Sequence, residues 1–133
     1  MKYLVPLLVL FVIVGCKKKN SEHEPVAGLQ AITSLSQINT EVASGVSMVF
    51  FHASWCSVCQ AQRPAVSEVA VDAELSAVFF GEVEYDDHPD IVEAYNVNGF
   101  PTLVIIKDGV EVDRIAGGGN STNEIKTRIQ AQL

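Results

Sequence analysis

One short apolar run, and the tryptophan and two cysteines that follow it, constrain this chain more than any other stretch. Val46 to Ala53, with Met48-Val49-Phe50-Phe51 at its centre, has the length and composition of a strand buried on both faces. Trp55-Cys56-Ser57-Val58-Cys59 comes next. It opens a segment expected to be helical from Cys56 to about Val71, with Val58, Ala61, Ala65 or Val66, and Val69 turned inward and a bend at Pro64. A cysteine at a helix start and another three residues on lie on the same side one turn apart, close enough to bond. The free N–H groups and positive dipole end of that helix favour a thiolate at Cys56 over Cys59. Cys56 is the expected nucleophile, and Cys59 the resolving thiol that releases a mixed disulfide.

The cysteine count supports a working pair. There are three cysteines in 133 residues, and the first, Cys16, lies far from the other two in sequence. A purely structural Cys56–Cys59 disulfide would close a very small loop and stabilise little. Zinc would need four ligands, and beyond the pair only His23, His52 and His88 remain, so no metal is expected. The length allows one domain and a leader. From Val26 onward five basic residues face fourteen acidic ones, a formal charge of −9. Such a surface repels phosphate backbones, so nucleic acid is not an expected partner.

The leader is residues 1–15. Lys2 is followed by a mostly apolar, uncharged run from Tyr3 to Gly15, short for a bilayer span and broken by Pro6. It ends in Ile13-Val14-Gly15-Cys16, which resembles the bacterial lipoprotein signal, where the cysteine is lipidated and becomes the mature N-terminus. A plain secretory signal or an uncleaved anchor are the alternatives. Residues 16–28 then read as a polar tether, and the domain as residues 29–133. That resemblance implies a lipid-anchored protein of the bacterial envelope. Lys17, in place of aspartate, points to the outer membrane facing the periplasm.

The remaining elements are expected in the order β-α-β-α-β-α-β-β-α, a mixed sheet with helices on its faces, an α/β architecture. Leu29–Thr33 reads as an edge strand. Ser34 opens a helix with Leu35, Ile38 and Val42 at helical spacing, and Gly45 stops it. Ala77–Tyr85 is a second apolar strand and Pro89–Tyr95 a short helix. Thr102–Lys107 and Val110–Ile115 form a hairpin about Asp108-Gly109. Ser121 caps a closing helix with Ile125 and Ile129 on its inner face.

Ala53-Ser54-Trp55-Cys56-Ser57-Val58-Cys59, Pro64, and Asn98-Gly99-Phe100-Pro101-Thr102 before a hairpin and last helix together resemble the thioredoxin family, from about Leu29 to Leu133. The resemblance implies a thioredoxin-like fold and a thiol–disulfide oxidoreductase without cofactor. It implies that Pro101 is cis, that the Phe100 backbone pairs with an extended substrate segment, and that Trp55 shields the cysteines and contacts the partner. It also implies protein thiols and disulfides of the envelope as partners, and a membrane electron donor if the chain works as a reductase. Nothing in the motifs asks for more than one chain, so a monomer is expected.

The chain departs from the family at Phe50, Glu82, His52 and Ser57-Val58. The family's buried aspartate, six residues before the first cysteine, is Phe50 here, and its neighbouring lysine is Glu82. Glu82 is a candidate base for Cys59, the alternative being a solvent-facing residue at a strand end. His52 stands where many members have tryptophan and reads as a packing element or as a group acting on Cys56. Ser57-Val58 carries no histidine or proline, which disfavours a strong oxidant. The departures at Phe50 and Glu82 leave a competing class open: a thioredoxin-fold module that binds a protein segment or copper without catalysis.

Overall fold

The computed structural model describes residues 25–133. The leader, Cys16 and the tether up to residue 24 lie outside the described residues. Among the described residues ten elements follow one another: β1 (Gln30–Ala31), α1 (Leu35–Glu41), β2 (Val46–His52), α2 (Ser57–Ala70), a 3-10 turn (Ala73–Leu75), β3 (Phe79–Glu84), α3 (Pro89–Ala94), β4 (Thr102–Lys107), β5 (Val110–Ala116) and α4 (Thr122–Gln130). The five strands lie in the order β1-β3-β2-β4-β5, with β2 parallel to β3, β1 parallel to β3, and β4 antiparallel to both β2 and β5. The fold is the expected thioredoxin-like one, a mixed sheet flanked by helices.

Strand β2 is central because every one of its residues is buried. Alternate side chains go to opposite faces. Met48 and Phe50 join Phe80, Leu103 and Ile105 under α2 and α4, against Cys59, Val66, Val69, Ile125 and Ile129. Val49 and Phe51 join Val83, Val104 and Ile106 under α1 and α3, against Ile38, Val42, Ile91 and Val92. Each fully buried large side chain contributes roughly 1.5–3 kcal/mol, so these two layers hold the sheet and its helices together.

The caps read from sequence form, with one variation. Ser34 Oγ accepts the Gln37 N–H, while Gln37 Oε1 reaches back to the N–H of Thr33 rather than of Ser34. Ser121 Oγ accepts the Glu124 N–H at 3.2 Å. Asp108 and Gly109 both have positive φ, 51° and 80°, as a tight hairpin turn of primed type requires.

Four expectations need correction. The edge strand is only Gln30–Ala31, because the chain turns away to cap α1. Leu35 is exposed, and α1 buries Ile38 with Val42 at its C-cap. Helix α2 turns Cys59, Gln62, Val66 and Val69 inward, leaving Val58 and Ala61 outside. Val26, in the segment read as tether, is buried in the α2-side core. Gly81 marks the close approach of β1's flank to β3, since a Cβ there would fall 2.5 Å from Ile32 Cδ1.

Candidate active site

The site forms where β2 ends and α2 begins. Ala53 to Trp55 turn out of the strand, and the Cys56 N–H closes that turn on the Ala53 carbonyl at 3.1 Å. Cys56 is the N-cap of α2, with extended backbone, and the Cys59 N–H donates to its sulfur at 3.1 Å. Cys56 and Cys59 form a disulfide, with Cα atoms 5.2 Å apart. Cys56 is 7% exposed and Cys59 1%, so an incoming thiolate reaches Cys56 and expels Cys59. After reduction the same N–H groups of α2 face a thiolate at Cys56, the arrangement that stabilises it.

The second half of the site is the loop before β4. The Phe100–Pro101 peptide bond is cis, and Cys56 Sγ lies 3.7 Å from the Phe100 carbonyl oxygen. Thr102 Oγ1 donates to the Gly99 carbonyl at 2.7 Å and the Gly117 N–H to the Pro101 carbonyl at 2.9 Å, fixing the loop at both ends. Trp55 is 65% exposed and packs edge-on with Phe100 at 6.2 Å between ring centroids, and the Tyr85 ring lies 5.1 Å from that of Phe100. The indole N–H of Trp55 and the Ser54 hydroxyl both donate to Asp86, at 3.2 and 3.1 Å. The cysteines, Trp55, Phe100 and Pro101 thus come together on one surface as the sequence suggests.

Three supporting groups carry no sequence motif. Gln62, buried on α2, accepts the Asn120 N–H at 2.9 Å and donates to the Asn120 carbonyl at 2.8 Å, tying the 117–120 loop to the helix of the cysteines. In that loop a Cβ on Gly118 would fall 2.4 Å from Val58 Cγ1, so the Gly117-Gly118-Gly119 run reflects close approach to Val58 as well as a strand end. Arg114 donates to the Tyr95 and Asn96 carbonyls at 2.7 and 3.1 Å and binds Glu111, joining the end of α3 to β5 beside the Phe100 loop. The Glu111 carboxylate holds the Arg114 guanidinium above its ordinary range. A chain of basic and amide residues scattered over 58 positions gives no periodic signal of such ties.

Glu82 is not solvent-facing. It is 3% exposed, on the α2 side of the sheet, with Oε1 accepting the Val26 N–H at 3.1 Å and Oε2 3.0 Å from His52 Nε2. His52 is buried with its ring stacked on Phe50 at 4.7 Å, and its Nδ1 lies 3.1 Å from Glu84 Oε2. Phe50 therefore packs where the family's aspartate would stand, and a His52–Glu82–Glu84 group occupies the surrounding interior. Among the described residues no group of three His, Cys, Asp or Glu side chains is placed to hold a metal ion.

Comparison with known proteins decides the family, because the match spans both halves of this site: the chain matches Thioredoxin over residues 30–131. It belongs to the thioredoxin family. The thioredoxin of Chlamydia caviae is 40% identical over 86 residues, which are 65% of this chain and 82% of that one. The thioredoxin of Staphylococcus aureus is 35% identical over 82 residues, 62% of this chain and 78% of that one. Among solved structures, Fasciola hepatica thioredoxin is similar with a TM-score of 0.68 and 29% identity, covering 79% of this chain and all (100%) of that one. Malassezia sympodialis thioredoxin, at 24% identity, shares the fold with a TM-score of 0.70 over 84% and 97% of the two chains. The chain is a thiol–disulfide oxidoreductase with Cys56–Cys59 as its redox pair.

Proposed function

We propose that the chain is a lipid-anchored reductase of protein disulfides in the bacterial envelope. The observation that carries the exchange chemistry is the Cys56–Cys59 disulfide at the N-terminus of α2, with Cys56 the more exposed and 3.7 Å from the Phe100 carbonyl. Cys56 attacks the partner disulfide, Cys59 resolves the mixed disulfide, and Phe100 and cis-Pro101 offer backbone to the substrate segment while Trp55 covers one side. Glu82 is the group assigned to take the Cys59 proton, supported by its burial on the α2 side. Ser57-Val58 between the cysteines supports the reducing direction over strong oxidation.

Gly15-Cys16 behind the apolar leader supports lipidation at Cys16, and Lys17 an outer-membrane destination facing the periplasm. A reductase in an oxidising compartment needs electrons from a membrane donor. The site is complete within one chain, which supports a monomer.

The test is the reduction potential of the full chain, equilibrated in glutathione buffers and followed by Trp55 fluorescence. A value near about −270 mV supports the reductase, and one near about −120 to −180 mV replaces it with an oxidase or isomerase. Fatty-acid labelling of the chain, lost in Cys16→Ala, supports the anchor, and unlabelled wild type overturns it.

A further inference from the structure

Helix α2 carries an amide where its inner face calls for an apolar side chain. Its buried residues are Cys59, Gln62, Val66 and Val69, and Gln62 is 2% exposed. Burying an amide costs free energy unless its hydrogen bonds are made, and an apolar side chain of equal volume would fill the space without that cost. The side-chain bonds of Gln62 all go to one residue. Its Nε2–H donates to the Asn120 carbonyl at 2.8 Å, and its Oε1 accepts the Asn120 N–H at 2.9 Å and the Asn120 Nδ2–H at 3.3 Å. Gln62 therefore serves the 117–120 loop rather than the core.

That loop needs a tie from outside. A run of three glycines has wide backbone freedom, and Gly117 and Gly119 take φ values of 87° and 82°. Gly118 and Gly119 make no backbone hydrogen bond among the described residues, so the loop is fixed at its ends. At one end the Gly117 N–H donates to the Pro101 carbonyl at 2.9 Å. At the other, Asn120 is held by Gln62 and returns an Nδ2–H to the Gly117 carbonyl at 2.8 Å. Between those ends Gly118 lies against both halves of the exchange site. A Cβ on it would fall 2.4 Å from Cγ1 of Val58, which stands between the cysteines in sequence, and 3.8 Å from Pro101 Cγ. Gln62 is one turn beyond Cys59 on the same side of α2, so the clamp joins the loop to the part of the helix that carries the pair.

We propose that Gln62 is a positioning residue for exchange with protein disulfides: through Asn120 it holds Gly117–Gly119 beside Val58 and Pro101 as one wall of the surface that receives the partner. The wall meets the partner's chain and leaves the sulfur chemistry alone, so the clamp acts on affinity. A partner that meets a loop already in place does not have to order it, which is the gain from preorganisation. A small disulfide needs only Cys56 and gains little from the wall. The role rests on Cys56–Cys59 being the pair that exchanges with protein disulfides.

The test compares a protein disulfide with a small one, using the full chain. Steady-state turnover of insulin is measured with dithiothreitol recycling the pair, and the reduced chain is separately reacted once with oxidised glutathione. Gln62→Met should raise KM for insulin about fivefold, the ratio equal to one net hydrogen bond, with kcat and the glutathione rate close to wild type. Asn120→Ala keeps the backbone groups that make the two shorter bonds to Gln62 and should raise KM less. A Gln62→Met KM equal to wild type overturns the proposal. Equal slowing with insulin and glutathione also overturns it, since the effect then lies on the cysteine pair itself. A larger rise in Asn120→Ala than in Gln62→Met overturns it too, because the loop would then depend on the Asn120 side chain and not on Gln62. Wild type that reacts with glutathione through Cys56 but turns over no insulin overturns the reading as a reductase of protein disulfides, and the role given to Gln62 falls with it.

Discussion

Replacing Gln62 by methionine tests whether a buried amide on α2 holds the loop that flanks the cysteines. Methionine is close to glutamine in length and volume, so the change removes hydrogen bonds while opening little space. Two bonds are lost at good distance, 2.8 and 2.9 Å to the Asn120 carbonyl and N–H, and a third at 3.3 Å to its side chain. Each good bond contributes about 1 kcal/mol net. Asn120 is only half-buried, so its abandoned groups reach water and the cost should stay at about 2 kcal/mol rather than rise to a full desolvation penalty. For a domain of this size that corresponds to a drop in Tm of roughly 8–10 °C. The assay is thermal unfolding followed by circular dichroism, paired with hydrogen exchange at the Gly119 and Asn120 amides. Faster exchange confined to that loop is expected with the lower Tm. An unchanged Tm and unchanged protection would refute the claim that Gln62 anchors the loop.

Gly118→Val should slow exchange with protein disulfides several-fold at nearly unchanged Tm, because its Cβ meets the exposed Val58 side chain; the Val58→Ala, Gly118→Val pair should recover the rate. Arg114→Lys keeps the charge but loses the fork to Tyr95 and Asn96, so KM for a protein substrate should rise with kcat little changed, as steady-state kinetics would show. Asp113 is held below the ordinary carboxylate range by its hydrogen bonds from Arg128. Its stabilisation, about 1 kcal/mol for a bidentate pair on a partly exposed surface, is present above about pH 4 and is lost as pH falls through the lowered value of the folded state. Urea midpoints between pH 7 and pH 3 should therefore fall less in Asp113→Asn than in wild type.

What sequence made legible was local or covalent. The β2 run, the two capping serines, the Asp108-Gly109 hairpin and the Cys56–Cys59 spacing each depend on neighbours within a few residues, and each formed. Cis-Pro101 beside Cys56 came through family resemblance, since Gly99-Phe100-Pro101 alone reads only as a loop. Contacts between distant positions were hidden. Gln62 looked like one polar residue on a helix, yet it is buried because Asn120 completes its bonds. Val58 and Ala61 fitted the apolar face by composition, but the cysteine pair and Gln62 set the rotation of α2. His52 and Glu82 could not be linked in sequence because thirty residues separate them; parallel pairing of β2 with β3 sets Phe50 beside Glu82 and His52 beside Glu84.

The central claim, exchange through Cys56 with Cys59 as the resolving thiol, is tested most directly by trapping. Cys59→Ser in the full chain, incubated with a disulfide-bonded protein, should accumulate a mixed disulfide that peptide mapping places on Cys56, while Cys56→Ser accumulates none. An adduct on Cys59 in the Cys56→Ser chain with equal yield, or no Cys56 adduct in the Cys59→Ser chain, would contradict the account.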